Sequence, residues 1–248
     1  MKNLKQKLAT GKAVIGLFMA SGCTAVTEIA AGVGYDFLIL DGEHGQGDEN
    51  IIFQQLCAMR SYCSVGLVRI PAFRHEYVKR MLDYGADGIL SPMIEDAAQA
   101  RTFALSMRYP PDGNRGMTGI FRASDYNNDF DDYYAKVNET LLCAAQIESV
   151  KGVENVDEIA TVKGIDLLFI GHSDLSSDYG CYKQFADPRI QAAEERILQA
   201  ARRNGKFVGM VLRPGMDLYE YVKRGINFIC LGTDLGLIKK TFKDKLAL

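Results

Sequence analysis

The sequence predicts an α/β chain folded as a (β/α)8 TIM barrel. Three observations predict it: eight short runs of β-forming residues, amphipathic stretches between them, and a length of 248 residues that suits one such barrel. An open, doubly wound sheet is the alternative, since a strand count does not show closure.

The first run is Ala13 to Phe18. Val26, Ile29, Ala30 and Val33 follow at helical spacing, with Gly34 as a left-handed stop, and the second run is Phe37 to Asp41. Val65 to Ile70 is the third. Val78, Met81 and Leu82 mark the next helix face, stopped by Gly85 before the fourth run, Gly88 to Ser91. The rhythm then breaks from Tyr109 to about Asp132, a segment with Pro110, Pro111, Gly113 and Gly116 that reads as a long functional or interface loop. Leu141 to Ile147 and Leu167 to Ile170 are the fifth and sixth runs. Asp187 and Pro188 open a helix as cap and first-turn proline, with Ile190, Ala193, Ile197 and Ala200 as its apolar stripe. Phe207 to Val211 and Phe228 to Leu231 complete the eight.

Composition narrows the function classes. The chain is 48% apolar, and its 29 Lys plus Arg against 31 Asp plus Glu give a net charge of -2. That apolar share excludes a disordered chain and supports one domain over residues 1–248. The interspersed charges offer no basic face for nucleic acid, so a small-molecule substrate is expected. The basic start lacks the apolar core of a secretory signal, and no apolar stretch approaches the ~20 residues that span a bilayer. A cytoplasmic, membrane-free protein is expected. The six cysteines form no zinc-type spacing and read as reduced residues.

In a β/α barrel the reactive groups gather where the strands end, so polar residues terminating the apolar runs are the candidates. Asp41 and His44 follow run two, Arg69 ends run three, Gln146 and Glu148 end run five, and His172 and Asp174 follow run six. Glu148 and Asp174 come from adjacent strands. Two carboxylates there would repel unless a proton or a hard divalent cation joined them, although each also reads as a helix cap. Asp41 is close enough along the chain to accept from a ring nitrogen of His44, making that imidazole a general base, unless it is simply solvated. Arg69 emerges at the rim to meet developing negative charge or pairs with a carboxylate nearby. No lysine ends any run, which disfavours imine chemistry, and no phosphate-loop or dinucleotide motif is present.

Five segments in order carry a family resemblance: Asp41-Gly42-Glu43-His44, Val68-Arg69-Ile70-Pro71, the stretch from Arg108 to Gly116, Gln146-Ile147-Glu148-Ser149, and the stretch from Phe169 to Ser176. With them the chain resembles the HpcH/HpaI aldolases, which are metal-dependent. The resemblance implies that Glu148 and Asp174 bind Mg²⁺ or Mn²⁺, with Co²⁺ as a further option. It implies that Arg69 stabilises an enolate, that Gln146 hydrogen-bonds near the metal and the keto group, and that His44, oriented by Asp41, transfers protons. The amides of Ser173 and Asp174 would hold the pyruvate carboxylate, and Leu212 and Arg213 after run seven, with Arg122, Tyr126 and Tyr133, are candidates for the acceptor side. His172 stands where many relatives have proline. The implied reaction is reversible cleavage of a 4-hydroxy-2-oxo acid to pyruvate and an aldehyde. Its alternatives are a citrate synthase-type condensation of oxaloacetate with acetyl-CoA, as in siderophore pathways, or oxaloacetate decarboxylation. A homo-oligomer, hexamer or trimer, with the C-terminal helix swapped between subunits is also implied.

Overall fold

The computed structural model describes residues 4–213 and 215–247. Its eight strands are β1 (Val14–Met19), β2 (Phe37–Asp41), β3 (Val65–Arg69), β4 (Gly88–Ser91), β5 (Leu142–Ile147), β6 (Leu167–Ile170), β7 (Phe207–Val211) and β8 (Phe228–Thr233). All pair in parallel, each with its sequence neighbour, and β8 returns to β1 to close the barrel. The helices are α1 (Leu4–Ala9), α2 (Thr24–Val33), α3 (Glu49–Ala58), α4 (His75–Asp83), α5 (Ala97–Ser106), α6 (Phe130–Thr140), α7 (Val150–Glu154), α8 (Val156–Thr161), α9 (His172–Asp178), α10 (Pro188–Arg203), α11 (Leu218–Lys223) and α12 (Asp234–Leu246). Among the described residues no helix is long and apolar enough to cross a membrane.

Strand residues alternate between two cores. Phe18, Phe37, Ile39, Leu67, Leu90, Ala144, Phe169 and Phe228 fill the barrel, and Leu4 and Leu8 of α1 join them. The second core lies between sheet and helices and includes Leu38, Leu40, Val68 and Ile147. The rings of Phe37 and Phe228 stack with centroids 3.8 Å apart. Gly16 makes room for that stack, since a Cβ there would lie 2.2 Å from the Phe37 ring.

The stripe expected on α10 is buried, with the Asp187 carboxylate accepting from the Arg189 amide and Pro188 in the first turn. Val78, Met81 and Leu82 of α4 are buried as well. The face expected on α2 needs correction. Ile29 and Val33 are exposed, and Thr27, Ala30 and Ala31 carry the helix–barrel contact instead. Small side chains win there because α2 lies against α3, where Gln55 donates to the buried Thr27 hydroxyl at 2.8 Å.

The irregular segment is anchored from within. The Arg115 side chain is fully buried, bonding Asp83 at 2.7 Å and the Tyr133 hydroxyl at 3.1 Å with its guanidinium 4.5 Å from the Tyr109 ring. Arg122 donates to the carbonyls of Tyr84 and Leu56. Arg122 and Tyr133, expected on the acceptor side, are therefore committed to holding this segment, whereas Tyr126 is exposed.

Candidate active site

The inward positions of the strands change chemistry one step beyond the apolar layer. Ile39 is followed inward by Asp41, Leu67 by Arg69, and Ala144 by Gln146 and then Glu148. All four polar residues are buried, and they share the C-terminal rim. The β2–β3 register sets Asp41 beside Arg69. Arg69 donates from Nε at 2.9 Å and from Nη2 at 2.7 Å to the two Asp41 oxygens, while Nη1 lies 3.0 Å from Glu43 Oε2. Two of the five guanidinium N–H groups are thereby hydrogen-bonded, the Glu43 contact being an ion pair, and the cation centre sits 4.8 Å over the Phe18 ring.

Burial works against the ionised form of Asp41. The bonds and charge of Arg69, together with the amides of His44 and Glu43, outweigh it and hold the carboxyl below its ordinary range. The expected bond from Asp41 to the His44 ring is replaced by one to the His44 amide, 3.2 Å from Oδ1. Arg69 takes both carboxylate oxygens, so the imidazole turns outward. It is exposed, with Nε2 3.9 Å from Glu43 Oε2.

Glu148 is the most confined acid of the rim. Its Oε1 accepts from the Met93 amide at 2.9 Å, and its Oε2 accepts from the Gln146 amide group. Burial pushes its carboxyl up to about 7, and the negative charges of Glu43 and Asp174 add to the shift against these two hydrogen bonds. Burial raises Glu43 too, partly offset by Arg69. Gly171 gives Glu148 its space, because a Cβ there would lie 2.5 Å from Oε2. Asp174 is exposed in the first turn of α9, next to Ser173. Leu212, expected beside the substrate, packs instead against the core between sheet and helices.

Three participants were not singled out from the sequence. Glu43 lay inside the Asp-Gly-Glu-His motif and was legible there. Met93 acts through its backbone, held at a positive φ of 52° that aims the amide at Glu148, and no side-chain chemistry advertises it. Glu194 lies on α10, and its carboxylate meets His172 Nε2 at 2.9 Å.

Among the described residues no set of three His, Cys, Asp or Glu is arranged around a metal. Two carboxylates nevertheless suit a hard cation that takes its other ligands from water and substrate oxygens. The unpartnered, buried Gln146 Oε1 and the mutual repulsion of Glu148, Glu43 and Asp174 fit a divalent ion at this place.

A closed β/α barrel with this acid-rich rim around one buried arginine defines a carbon–carbon lyase of the aldolase type. The sequence pattern described as HpcH/HpaI aldolase/citrate lyase matches residues 14–241, and the chain belongs to that family. It is 35% identical over 235 residues to the 5-keto-4-deoxy-D-glucarate aldolase of Escherichia fergusonii, covering 95% of this chain and 91% of the relative. An HpcH/HpaI aldolase/citrate lyase family protein from Burkholderia cenocepacia superposes with a TM-score of 0.94 at 31% identity, over 100% of this chain and 98% of that one. The citrate synthase SbnG gives a TM-score of 0.90 at 28% identity, over 100% and 97%.

Proposed function

We propose that the protein is a divalent-metal-dependent pyruvate aldolase that reversibly cleaves a 4-hydroxy-2-oxo acid into pyruvate and an aldehyde. The buried Glu148 carboxyl carries the reading, because the charges of two further acids, Glu43 and Asp174, bear on it and one doubly charged ion would relieve their repulsion. Glu148 and Asp174 would hold the ion, Mg²⁺ or Mn²⁺ by the hardness of oxygen donors. Bound there, it supplies Lewis-acid polarisation of the 2-keto oxygen.

The protein's own groups do the rest. The amides of Ser173 and Asp174, among the first N–H groups of α9, receive the pyruvate carboxylate. Gln146, bonded to Glu148, fixes that carboxylate and presents its amide to the keto group. In cleavage the C4 hydroxyl gives its proton to the His44 imidazole, directly or through water, and the C3–C4 bond breaks, releasing the aldehyde and leaving the electron pair on C3 and the keto oxygen of pyruvate. Arg69, preorganised by Asp41, faces that developing charge with its remaining N–H groups. His44 stands at the open side, where its imidazole returns a proton to C3 directly or through water. The apolar Phe242 and Leu246, exposed on α12, support exchange of that helix within a homo-oligomer.

The likeness to a citrate synthase favours one second reading, condensation of oxaloacetate with acetyl-CoA at the same rim. The test of both is incubation of the Mg²⁺- or Mn²⁺-loaded protein with pyruvate in D₂O, followed by an aldehyde panel and by oxaloacetate with and without acetyl-CoA. Deuterium in the pyruvate methyl group together with aldol products supports the aldolase. Citrate formed only with acetyl-CoA supports the second reading, and silence in every arm sinks both.

A further inference from the structure

Asp234 opens α12 at the seam where β8 pairs with β1, and it is 2% exposed. Its Oδ1 accepts from the amides of Ala20 and Leu235, each at 2.8 Å. Its Oδ2 accepts from the Ser21 amide at 3.2 Å and from the Ser21 hydroxyl. A carboxylate taken out of water needs such donors, and the two amides that follow β1 need an acceptor just as much. Among the described residues none of these bonds reaches Asp41, Arg69, Gln146 or Glu148. The acid therefore holds the segment after β1 and leaves the donor-site side chains to their own partners.

That segment in turn holds the turn that carries His44. The Ala20 carbonyl accepts from the Gln46 amide at 2.9 Å, so Ala20 is bonded to Asp234 on one side and to Gln46 on the other. Gly22, at a positive φ of 65°, lies over the same turn, where a Cβ would sit 3.2 Å from the Gly47 nitrogen. Gly45 is confined between the two strand ends, because a Cβ there would lie 2.2 Å from the Asp41 carbonyl oxygen and 3.2 Å from that of Ala20. The turn is thus clamped twice, by Asp41 Oδ1 through the His44 amide and by Ala20 through the Gln46 amide. The exposed imidazole makes no side-chain hydrogen bond among the described residues, its nearest acid standing 3.9 Å away. Where the ring stands is therefore decided by its backbone.

We propose that Asp234 is a positioning residue for proton transfer: by fixing Ala20 and Ser21 it holds the turn that sets the reach of His44 toward the substrate. The proposal rests on the aldolase reading and on the part His44 plays in it. A displacement of about 1 Å in a group that must meet a reacting atom costs up to about 100-fold in rate, and without the carboxylate the Ala20 and Ser21 amides lose the acceptor that keeps the turn in place.

The test is a double-mutant cycle on pyruvate methyl exchange in D₂O, run with Mn²⁺-loaded wild type, Asp234→Ala, His44→Ala and the variant carrying both. Asp234→Ala is expected to lower kcat for exchange about 10- to 100-fold, with Mn²⁺ affinity and KM for pyruvate unchanged. Asp234→Asn keeps one acceptor oxygen for the Ala20 amide and should recover part of the rate. In the His44→Ala background the same Asp234→Ala change is expected to alter the rate by no more than about 2-fold, because nothing is left for it to position. A merely structural role would multiply the two losses. Thermal unfolding checks each variant, and if Asp234→Ala does not fold the cycle is run with Asp234→Asn. Equal losses in both backgrounds, or a drop in Mn²⁺ affinity that accounts for the lost rate, overturn the proposal alone. A His44→Ala protein that exchanges at the wild-type rate overturns it as well and leaves the aldolase reading standing. Wild-type protein that exchanges no pyruvate protons and forms no aldol sinks that reading and this proposal together.

Discussion

Arg69 and Asp41 face each other across the β2–β3 register as a two-point pair, Nε to Oδ1 at 2.9 Å and Nη2 to Oδ2 at 2.7 Å, both residues being buried. Neither charge is at ease alone inside the barrel, so the pair is best understood as one cationic tool with a fixed orientation. Removing one partner of a buried pair strands the other, at a cost of about 3–5 kcal/mol. Asp41→Ala is expected to lower unfolding free energy by about that amount in urea melts. Asp41→Asn, closer in shape, is expected to cut kcat for aldol cleavage by about 100-fold while leaving Mn²⁺ affinity intact, since its effect runs through Arg69 and not through Glu148. Arg69→Lys should do no better, because an ammonium cannot make the fork. Equal loss of metal binding in Asp41→Asn would show that the pair serves the cation instead.

Glu148 gives a pH dependence of the opposite sign to an ordinary surface acid. Its folded value of about 7 lies above the usual 4.5, so folding favours the protonated form. Below about pH 4.5 both states are protonated and nothing is lost. Between there and about pH 7 the metal-free fold pays a growing penalty, complete above that window at about 3 kcal/mol. Glu148→Gln abolishes the ionisation, and Gln146 can turn its unpartnered Oε1 toward the new amide. With chelator present, the variant is expected to be the more stable protein at pH 8 and to lose that advantage near pH 4.5. Denaturant titrations at the two pH values check it, and a wild type that is equally stable at pH 8 would contradict the assignment of strain to this carboxyl.

The sequence exposed what the period of two controls. Strand positions, their order and the inward placement of Asp41, Arg69, Gln146 and Glu148 all follow from alternation continued past the last apolar residue. Contacts between distant elements were hidden. Asp41 and His44 are three residues apart and looked paired, but Arg69, 28 residues from Asp41, is the stronger competitor for both oxygens. His172 finds Glu194 22 residues away on a helix whose apolar stripe says nothing of one buried acid beside it. Leu212 was expected on the acceptor side from the family resemblance, whereas its side chain packs against the core between sheet and helices. The exposed Ile29 and Val33 show the same weakness on a helix: spacing predicts a face, and the neighbouring α3 decides which face is buried.

His44 is the rim group with the least structural duty, its ring exposed and its nearest acid 3.9 Å away. His44→Ala is therefore expected to unfold within about 0.5 kcal/mol of the wild type. It should bind Mn²⁺ normally and slow pyruvate methyl exchange in D₂O by about 100-fold or more, the usual scale of a positioned acid–base group. Exchange at the wild-type rate would remove the imidazole from proton transfer and leave water or Glu43 as the carrier.

Gly171 offers the sharpest separation of fold from site. It follows β6 at an inward position, where any side chain would enter the space that Glu148 occupies. Its backbone, at φ of -90°, is one that alanine adopts without strain, so conformational freedom is not what requires glycine here. Space is. The added methyl would meet Glu148 Oε2 at 2.5 Å and Gln146 Nε2 at 3.1 Å, and those two atoms are already bonded to each other. The carboxylate can yield only by leaving the Met93 amide or by turning away from Gln146, and either movement takes it from the place where it would share a cation with Asp174. Gly171→Ala is thus expected to weaken Mn²⁺ binding by about 10- to 100-fold, the scale at which displaced supporting groups act on a metal site, with aldol cleavage falling at least as far. Circular dichroism should remain that of an intact barrel. Calorimetric titration of the variant with Mn²⁺ decides the matter, because unchanged affinity would mean that Glu148 holds no metal at this position.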